Sequence, residues 1–374
     1  MPLSCLRGPL TGLVLAGAVS WGGGSIAFAQ RPAPKADQKP DPAAVSQQQA
    51  QNQEIEAVIH AADAAMTAPA VTTDLPIQVR TDFLKAQAGR VWVPLTLTLD
   101  PKTTVGPITL YLRVTPHGMT APPPPTTPEP AAAAGKDAKK KNDKNAKAAP
   151  PPPAAPSYPY EDVAFTELKA PAPGQPLRIQ RGIGVPTGSY DLYVVLHERA
   201  PGGKLAVMKQ ALDVPNYGPG DLTTSSVILA ERVDQLPAPV AVDQQSERPY
   251  AFGQTEIFPS SEKKFKKTQE LIVLFQIYNP NVSADKKFNL EATYTFYKMD
   301  AGAEKRFNST EPQLFTNDTM GAAFDPSGAN SSIQAGQGIP LTSFPEGAYR
   351  LEIKITDKQS NKILTQSTSF TVTP

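Results

Sequence analysis

Cysteine is almost missing from this chain. The one present, Cys5, falls inside the first twenty-nine residues, with no apolar run before it to mark a lipid-attachment site. Without that stretch the chain has no thiol, so disulfides and thiol chemistry are excluded and stability must come from packed apolar cores. Histidine is scarce too, with three in 374 residues. No charge of one sign dominates: Lys plus Arg total 36 against 35 for Asp plus Glu. A balanced chain gives no general reason to expect nucleic acid or an anionic membrane as partner. Long apolar runs are absent after residue 29, so no membrane-spanning segment is expected in the mature chain.

What is present begins with an address. Arg7 is the only charge in residues 1–29, an apolar middle follows around Leu13 to Val19, and the stretch closes on Ala27-Phe28-Ala29. That order predicts a secretory signal peptide, with an apolar middle too short and too Gly-interrupted to span a bilayer. The mature chain is then expected to start near Gln30 and to be periplasmic, extracellular or surface-located, with room for two ordinary domains.

Residues 30–53 are rich in Pro, Ala, Gln and Lys, with little to bury, and read as a disordered tether. Residues 54–68 carry the one convincing helical pattern: Ile55, Val58, Ile59, Ala62 and Met66 share a face, and Pro69 ends it. From about residue 75 the period becomes two. In Val91 to Leu99 every odd position is apolar, a half-buried strand, and Pro94 points to an edge strand or a bulge. Trp92, the only tryptophan after the signal, is expected to be largely buried near that edge. Residues 119–157, with Pro122–Pro125, Ala131–Ala134, a lysine patch and Pro150–Pro153, read as a disordered insertion between two strands. Residues 216–245 read as a Pro- and Gly-rich connector in which Val227–Leu229 can form a strand. Residues 246–374 read as a second strand-rich domain, with Leu271 to Tyr278 apolar on both faces.

The most specific pattern after the signal is a repeat. Pro186-Thr187-Gly188-Ser189-Tyr190-Asp191-Leu192-Tyr193-Val194-Val195-Leu196 matches Pro345-Glu346-Gly347-Ala348-Tyr349-Arg350-Leu351-Glu352-Ile353-Lys354-Ile355. Downstream, Lys204-Leu205 matches Lys362-Ile363, and Leu212-x-Val214 matches Phe370-x-Val372. Gly188 and Gly347 allow positive φ in a turn, and Tyr190 and Tyr349 sit where a ring can bury while its hydroxyl reaches nearby backbone. This predicts an all-β chain of two tandem immunoglobulin-like sandwiches, residues 71–215 and 246–374, each closed by a Tyr-led hairpin. The closing motif resembles the end of bacterial immunoglobulin-like and fibronectin-III-like domains. The stretch Phe265 to Asn279 is similar to sandwich regions of secreted acidobacterial proteins that accompany von Willebrand factor A-related modules. The Asp-x-Ser-x-Ser metal motif of that group is not found here, so the resemblance implies a sandwich scaffold without the functional module.

No arrangement of residues points to catalysis, a cofactor or a metal. His60, His117 and His197 are far apart in sequence, and His197-Glu198 lacks the second histidine of a zinc-protease motif, with Pro201 in its place. There is no Gly-x-Ser-x-Gly elbow and no dinucleotide fingerprint. Asn317, Asp318, Asp325 and Asn330 lie in a Gly-rich loop that reads as turn chemistry, with calcium as the alternative. Lys263, Lys264, Lys266 and Lys267 around Phe265 read as a solvated hairpin rather than a contact for an anionic polymer. Tyr158, Tyr160, Tyr217, Tyr250, Tyr278, Tyr294 and Tyr297 read as core or cross-strand packing rather than a carbohydrate platform. The leading expectation is a non-catalytic exported protein that binds or assembles with an envelope or extracellular protein or polysaccharide. The alternatives are a polymer hydrolase acting between the domains, with His197 and Glu198 as residues to test, and a calcium-stabilised adhesion module.

Overall fold

The structure, a computed structural model, describes residues 42–68, 71, 73–121, 157–171, 176–300, 302–321, 324–328 and 331–374. The expected signal peptide, the first part of the tether and all but the rims of the 119–157 insertion lie outside these residues. The chain is all-β, with four sheets and one N-terminal helix among the described residues.

The helix, α1 (Pro42–Thr67), is longer than the 54–68 expected. Tether residues from Pro42 onward join it because Ala and Gln are strong helix formers and Pro is tolerated in a first turn. Eight strands follow: β1 (Ile77–Thr81), β2 (Leu84–Lys85), β3 (Arg90–Leu99), β4 (Gly106–Pro116), β5 (Tyr160–Leu168), β6 (Arg178–Pro186), β7 (Gly188–Glu198) and β8 (Leu205–Val214). In one sheet β3 lies between β6 and the pair β1 and β2; the other runs β5-β4-β7-β8. Their facing sides supply the odd residues of β3 and the even residues of β4 and β7, a core that includes Leu95, Leu97, Ile108, Leu110, Leu192 and Leu196. Each fully buried aliphatic side chain of this kind contributes about 1.5–3 kcal/mol. β4 and β5 pair directly from Gly106 with Leu168 to Val114 with Tyr160, so the insertion leaves and re-enters at one end of a hairpin.

β3 is not the edge strand that Pro94 suggested. It is paired on both sides, and its neighbour is broken instead: β1 ends at Thr81, opposite Leu95, and β2 starts at Leu84, opposite Trp92. Pro94 stands beside that gap, where a missing donor is harmless, and its carbonyl accepts from the Asp82 amide at 3.1 Å.

The second half holds β9 (Thr223–Thr224), β10 (Ile228–Gln235), β11 (Ala251–Phe252), β12 (Thr255–Pro259), β13 (Lys264–Lys266), β14 (Glu270–Tyr278), β15 (Asn289–Asp300), β16 (Ala303–Ser309), β17 (Gln313–Thr316), a short helix α2 (Asn317–Met320), β18 (Ile333–Pro340), β19 (Gly347–Asp357) and β20 (Lys362–Thr373). One sheet is ordered β11-β12-β10-β14-β18 with β9 beside β14. The other is ordered β13-β20-β19-β15-β16 with β17 beside β15. The segment read as a connector, 216–245, therefore supplies β9 and β10 to the second sandwich. Its first three strand residues, Ile228–Ala230, join β14, and the rest pairs with the small hairpin of β11 and β12. The lysine cluster is likewise not a hairpin. Lys264–Lys266 run parallel to Thr371–Thr373 at a sheet edge, with Phe265 fully buried between outward lysines.

The repeat is repeated in space. Gly188 pairs with Val214 and Tyr190 with Leu212; Gly347 pairs with Val372 and Tyr349 with Phe370. Both glycines hold positive φ, 153° and 134°, which side chains rarely adopt. Both tyrosine hydroxyls donate to backbone just upstream, Tyr190 to the Thr187 carbonyl at 3.3 Å and Tyr349 to that of Pro345 at 2.6 Å. They differ in depth: Tyr349 is fully buried and stacked on Phe370 with centroids 5.3 Å apart, whereas Tyr190 is half-buried.

Segment 244–262 of the second half lies across the outer face of β1, β3 and β6. The Trp92 indole donates to the Pro249 carbonyl at 2.9 Å and the Gly182 amide to that of Ser246 at 2.7 Å. Tyr250 donates to Asp82 at 2.6 Å, and Arg80 bridges Asp82 at 2.7 Å and the Ser260 carbonyl at 2.6 Å. Trp92 is 9% exposed, as expected, but on a paired strand under this segment rather than near an edge.

Candidate functional site

The outer face of β4 and β7 brings ionisable and aromatic side chains together under α1. Alternation puts Thr109, Tyr111, Arg113 and Thr115 of β4 on that face, opposite His197, Val195, Tyr193 and Asp191 of β7. Helix α1 packs on its middle. Val58, Ala62, Ala65 and Met66 meet Tyr111, Tyr193, Val195 and Val207. Arg113 is buried there between two rings, 5.2 Å from the Tyr111 centroid and 4.4 Å from that of Tyr158. It pairs with Glu161 at 3.0 Å and with Asp63 of α1. Burial opposes its charge, but the Asp63 hydrogen bond and the surrounding negative groups outweigh this and raise its pKa. Burial first, and then the hydrogen bond to Glu161, push the Tyr111 phenol far above its ordinary value. The arrangement clamps helix to sheet through a charge-assisted network.

The three histidines do not meet. His60 is exposed on α1. His197 points to the helix and bonds Glu54 at 2.6 Å. Glu198, the next residue, points to the other side of the sheet. Its two carboxylate oxygens accept from the amides of Thr104 at 2.6 Å and Lys204 at 3.1 Å. The pair singled out for hydrolysis is thus split across the two faces of β7, and the junction with the second sandwich lies on the other sheet. His117 has a partner that sequence spacing could not show. Its Nδ1 lies 2.9 Å from Asp191, whose carboxylate is buried and also accepts the Gly118 amide at 3.1 Å. The His117 side chain is 65% exposed. An imidazole oriented by a buried carboxylate can exchange a proton, but among the described residues no hydroxyl is hydrogen-bonded to it.

The remaining candidates sit in structural roles. Asn317 accepts from the Phe288 amide and donates to the Lys286 carbonyl, and Asp325 accepts from the Ser327 amide at 3.0 Å, both turn and cap chemistry. Asn330 lies outside the described residues. Tyr217, Tyr250, Tyr278 and Tyr294 are buried, while Tyr158, Tyr160 and Tyr297 are partly so. A shallow cavity of about 230 Å³ opens between β5 and β6, lined by Lys169, Arg178, Arg181 and Glu247 among others; Arg181 and Glu247 pair at 3.1 Å. Among the described residues no three acidic or histidine side chains cluster as a metal site, and no helix is long and apolar enough to cross a membrane.

No protein-family model matches the chain, and no curated protein matches it. Similar solved structures include red sea bream transglutaminase (8% identity, TM-score 0.20, covering 79% of this chain and 31% of that one). Others are Escherichia coli alpha-2-macroglobulin activated by porcine elastase (10%, TM-score 0.22, 81% and 22%) and Bacteroides uniformis beta-glucuronidase (10%, TM-score 0.23, 78% and 32%). The chain spans between a fifth and a third of the length of these proteins, and at such TM-scores the likeness carries no functional argument.

Proposed function

We propose that this chain is an exported, non-catalytic scaffold of the bacterial envelope that binds or assembles with another envelope component, a protein or a polysaccharide. The observation that supports it most is the junction between the sandwiches. Trp92 to Pro249, Tyr250 to Asp82 and Arg80 to Ser260 form buried or part-buried, specific bonds across it, which hold two small sandwiches at a set separation and angle. A spacer of this kind suits presentation of surfaces rather than closure on a substrate. The secretory pattern of residues 1–29 and the resemblance of the closing hairpins to bacterial immunoglobulin-like domains favour the same reading. Photo-crosslinkers placed at exposed Leu314 and Ile363 of the second sandwich and at Val242 test it in the envelope fraction. One position should yield a discrete adduct with one envelope component, and the exported chain should begin at Gln30. Turnover of a wall or extracellular polymer that is lost in His117→Ala or His197→Ala would overturn the non-catalytic reading.

A further inference from the structure

We propose that α1 is a detachable cover: its packed half, residues 54–66, lifts off the outer face of β4, β7 and β8 while both sandwiches stay folded. This inference is independent of the scaffold reading.

The apolar contact under the helix is small. Two of the four buried residues that α1 contributes, Ala62 and Ala65, are alanines, Ile59 and Ala61 are only partly buried beside them, and its residues 45–50 are exposed. The face beneath is poorly suited to permanent burial. Thr109 Oγ1, Thr115 Oγ1 and Tyr193 Oη are buried on it with no hydrogen-bond partner among the described residues, and Tyr158 Oη, against Arg113, is in the same state. Each buried hydroxyl without a partner disfavours the closed state, because opening lets water satisfy it. The polar ties are also of a kind that can part. Glu54 and Asp63 both sit at the rim of the helix, and Arg113 keeps Glu161 when Asp63 leaves. The second sandwich closes its own core without such a layer. At the positions matching Tyr193, Val195 and Val207 it carries Glu352, Lys354 and Thr365, and among the described residues α1 packs on β4, β7 and β8 of the first sandwich instead. Local opening of one weakly held layer is the ordinary route to sub-global exchange.

Hydrogen exchange on the full chain, followed by mass spectrometry, tests this. Amides of residues 54–66 should exchange at least a hundredfold faster than those of residues 108–114 and 192–196. Tyr193→Phe and Thr109→Val remove hydroxyls without partners and keep the shape. Each should raise helix protection by about fivefold to tenfold and leave the strands unchanged. Val58→Asp should abolish helix protection while the strands stay protected. Exchange of α1 in step with β4 and β7 overturns the proposal, as does helix protection unmoved by both Tyr193→Phe and Thr109→Val.

Discussion

Gly182 is the position where one methyl group should loosen the junction between the sandwiches. A Cβ built there falls 2.1 Å from Cζ2 and 2.5 Å from Cη2 of Trp92, far inside contact distance. The indole cannot move freely, because its Nε1 is bonded to Pro249 and it lies under segment 244–262. Gly182→Ala must therefore displace either the ring or strand β6, whose amide at 182 carries the bond to Ser246. Overpacking of this kind costs about 1–3 kcal/mol, and loss of the buried indole hydrogen bond adds about 1 kcal/mol. We expect a destabilisation of about 3 kcal/mol, or roughly 6–12 °C in the melting temperature of the first sandwich. In the chain lacking residues 1–29, Trp92 is the sole tryptophan. Its emission should shift to the red in Gly182→Ala without denaturant. Trp92→Phe makes room for the added methyl, so the double variant should be more stable than the sum of the single effects implies. A Gly182→Ala protein that melts within about 0.5 kcal/mol of wild type with unchanged emission would refute the reasoning, for a clash that can be absorbed should cost no more than an ordinary surface substitution.

Other outcomes follow from the buried polar groups. Burial raises the phenol pKa of Tyr111, Tyr160, Tyr217, Tyr250, Tyr278 and Tyr294, so the native chain keeps protons that the unfolded chain releases near pH 10. Their stabilisation is complete below about pH 10 and falls as pH rises above it; denaturant midpoints between pH 8 and 12 should show a steep alkaline decline. The two corner tyrosines should differ. Tyr349→Phe, losing a buried 2.6 Å bond, should cost about 1–2 kcal/mol in urea unfolding, and Tyr190→Phe, losing a 3.3 Å bond near solvent, under about 0.5 kcal/mol. Burial opposes ionisation of Glu198, but the amides of Thr104 and Lys204 outweigh it and hold the carboxyl below its usual range. Its contribution is present above about pH 4.3 and lost as pH falls through the lower native value. Glu198→Gln should flatten that part of the acid-unfolding curve.

Much of the architecture was legible because inward positions alternate with little interruption from Val91 to Leu99, Ile108 to Val114 and Tyr349 to Ile355, and because the closing hairpin occurs twice. What was hidden depended on neighbours that no short window contains. Within the connector only Val227–Leu229 read as a strand, and the rest of Ile228–Gln235 was hidden because just three of its residues pair with β14 while its charged half pairs with a later hairpin of the same sheet. Pro94 suggested an edge because the break lies in β1 and β2, not in the proline's own strand. The His117–Asp191 pair spans 74 residues and exists through the register of β4 on β7.

The helix-covered face has a local signal in the sequence. Between Leu192 and Leu196 the first repeat is apolar at every position, whereas Leu351 to Ile355 alternates with Glu352 and Lys354. A strand apolar on both faces needs a layer on each side, and one that alternates needs only one. The added layer in the first copy is α1, on Tyr193 and Val195. Exchanging those two residues for the glutamate and lysine of the second copy should convert one face into the other. In Tyr193→Glu/Val195→Lys the helix should lose its far-ultraviolet signal and become open to protease near residues 54–66, while the strand signal and the main melting transition persist. If the sandwich unfolds together with the helix, the layers are not separable, and the difference between the repeats does not explain why only one of them carries a cover.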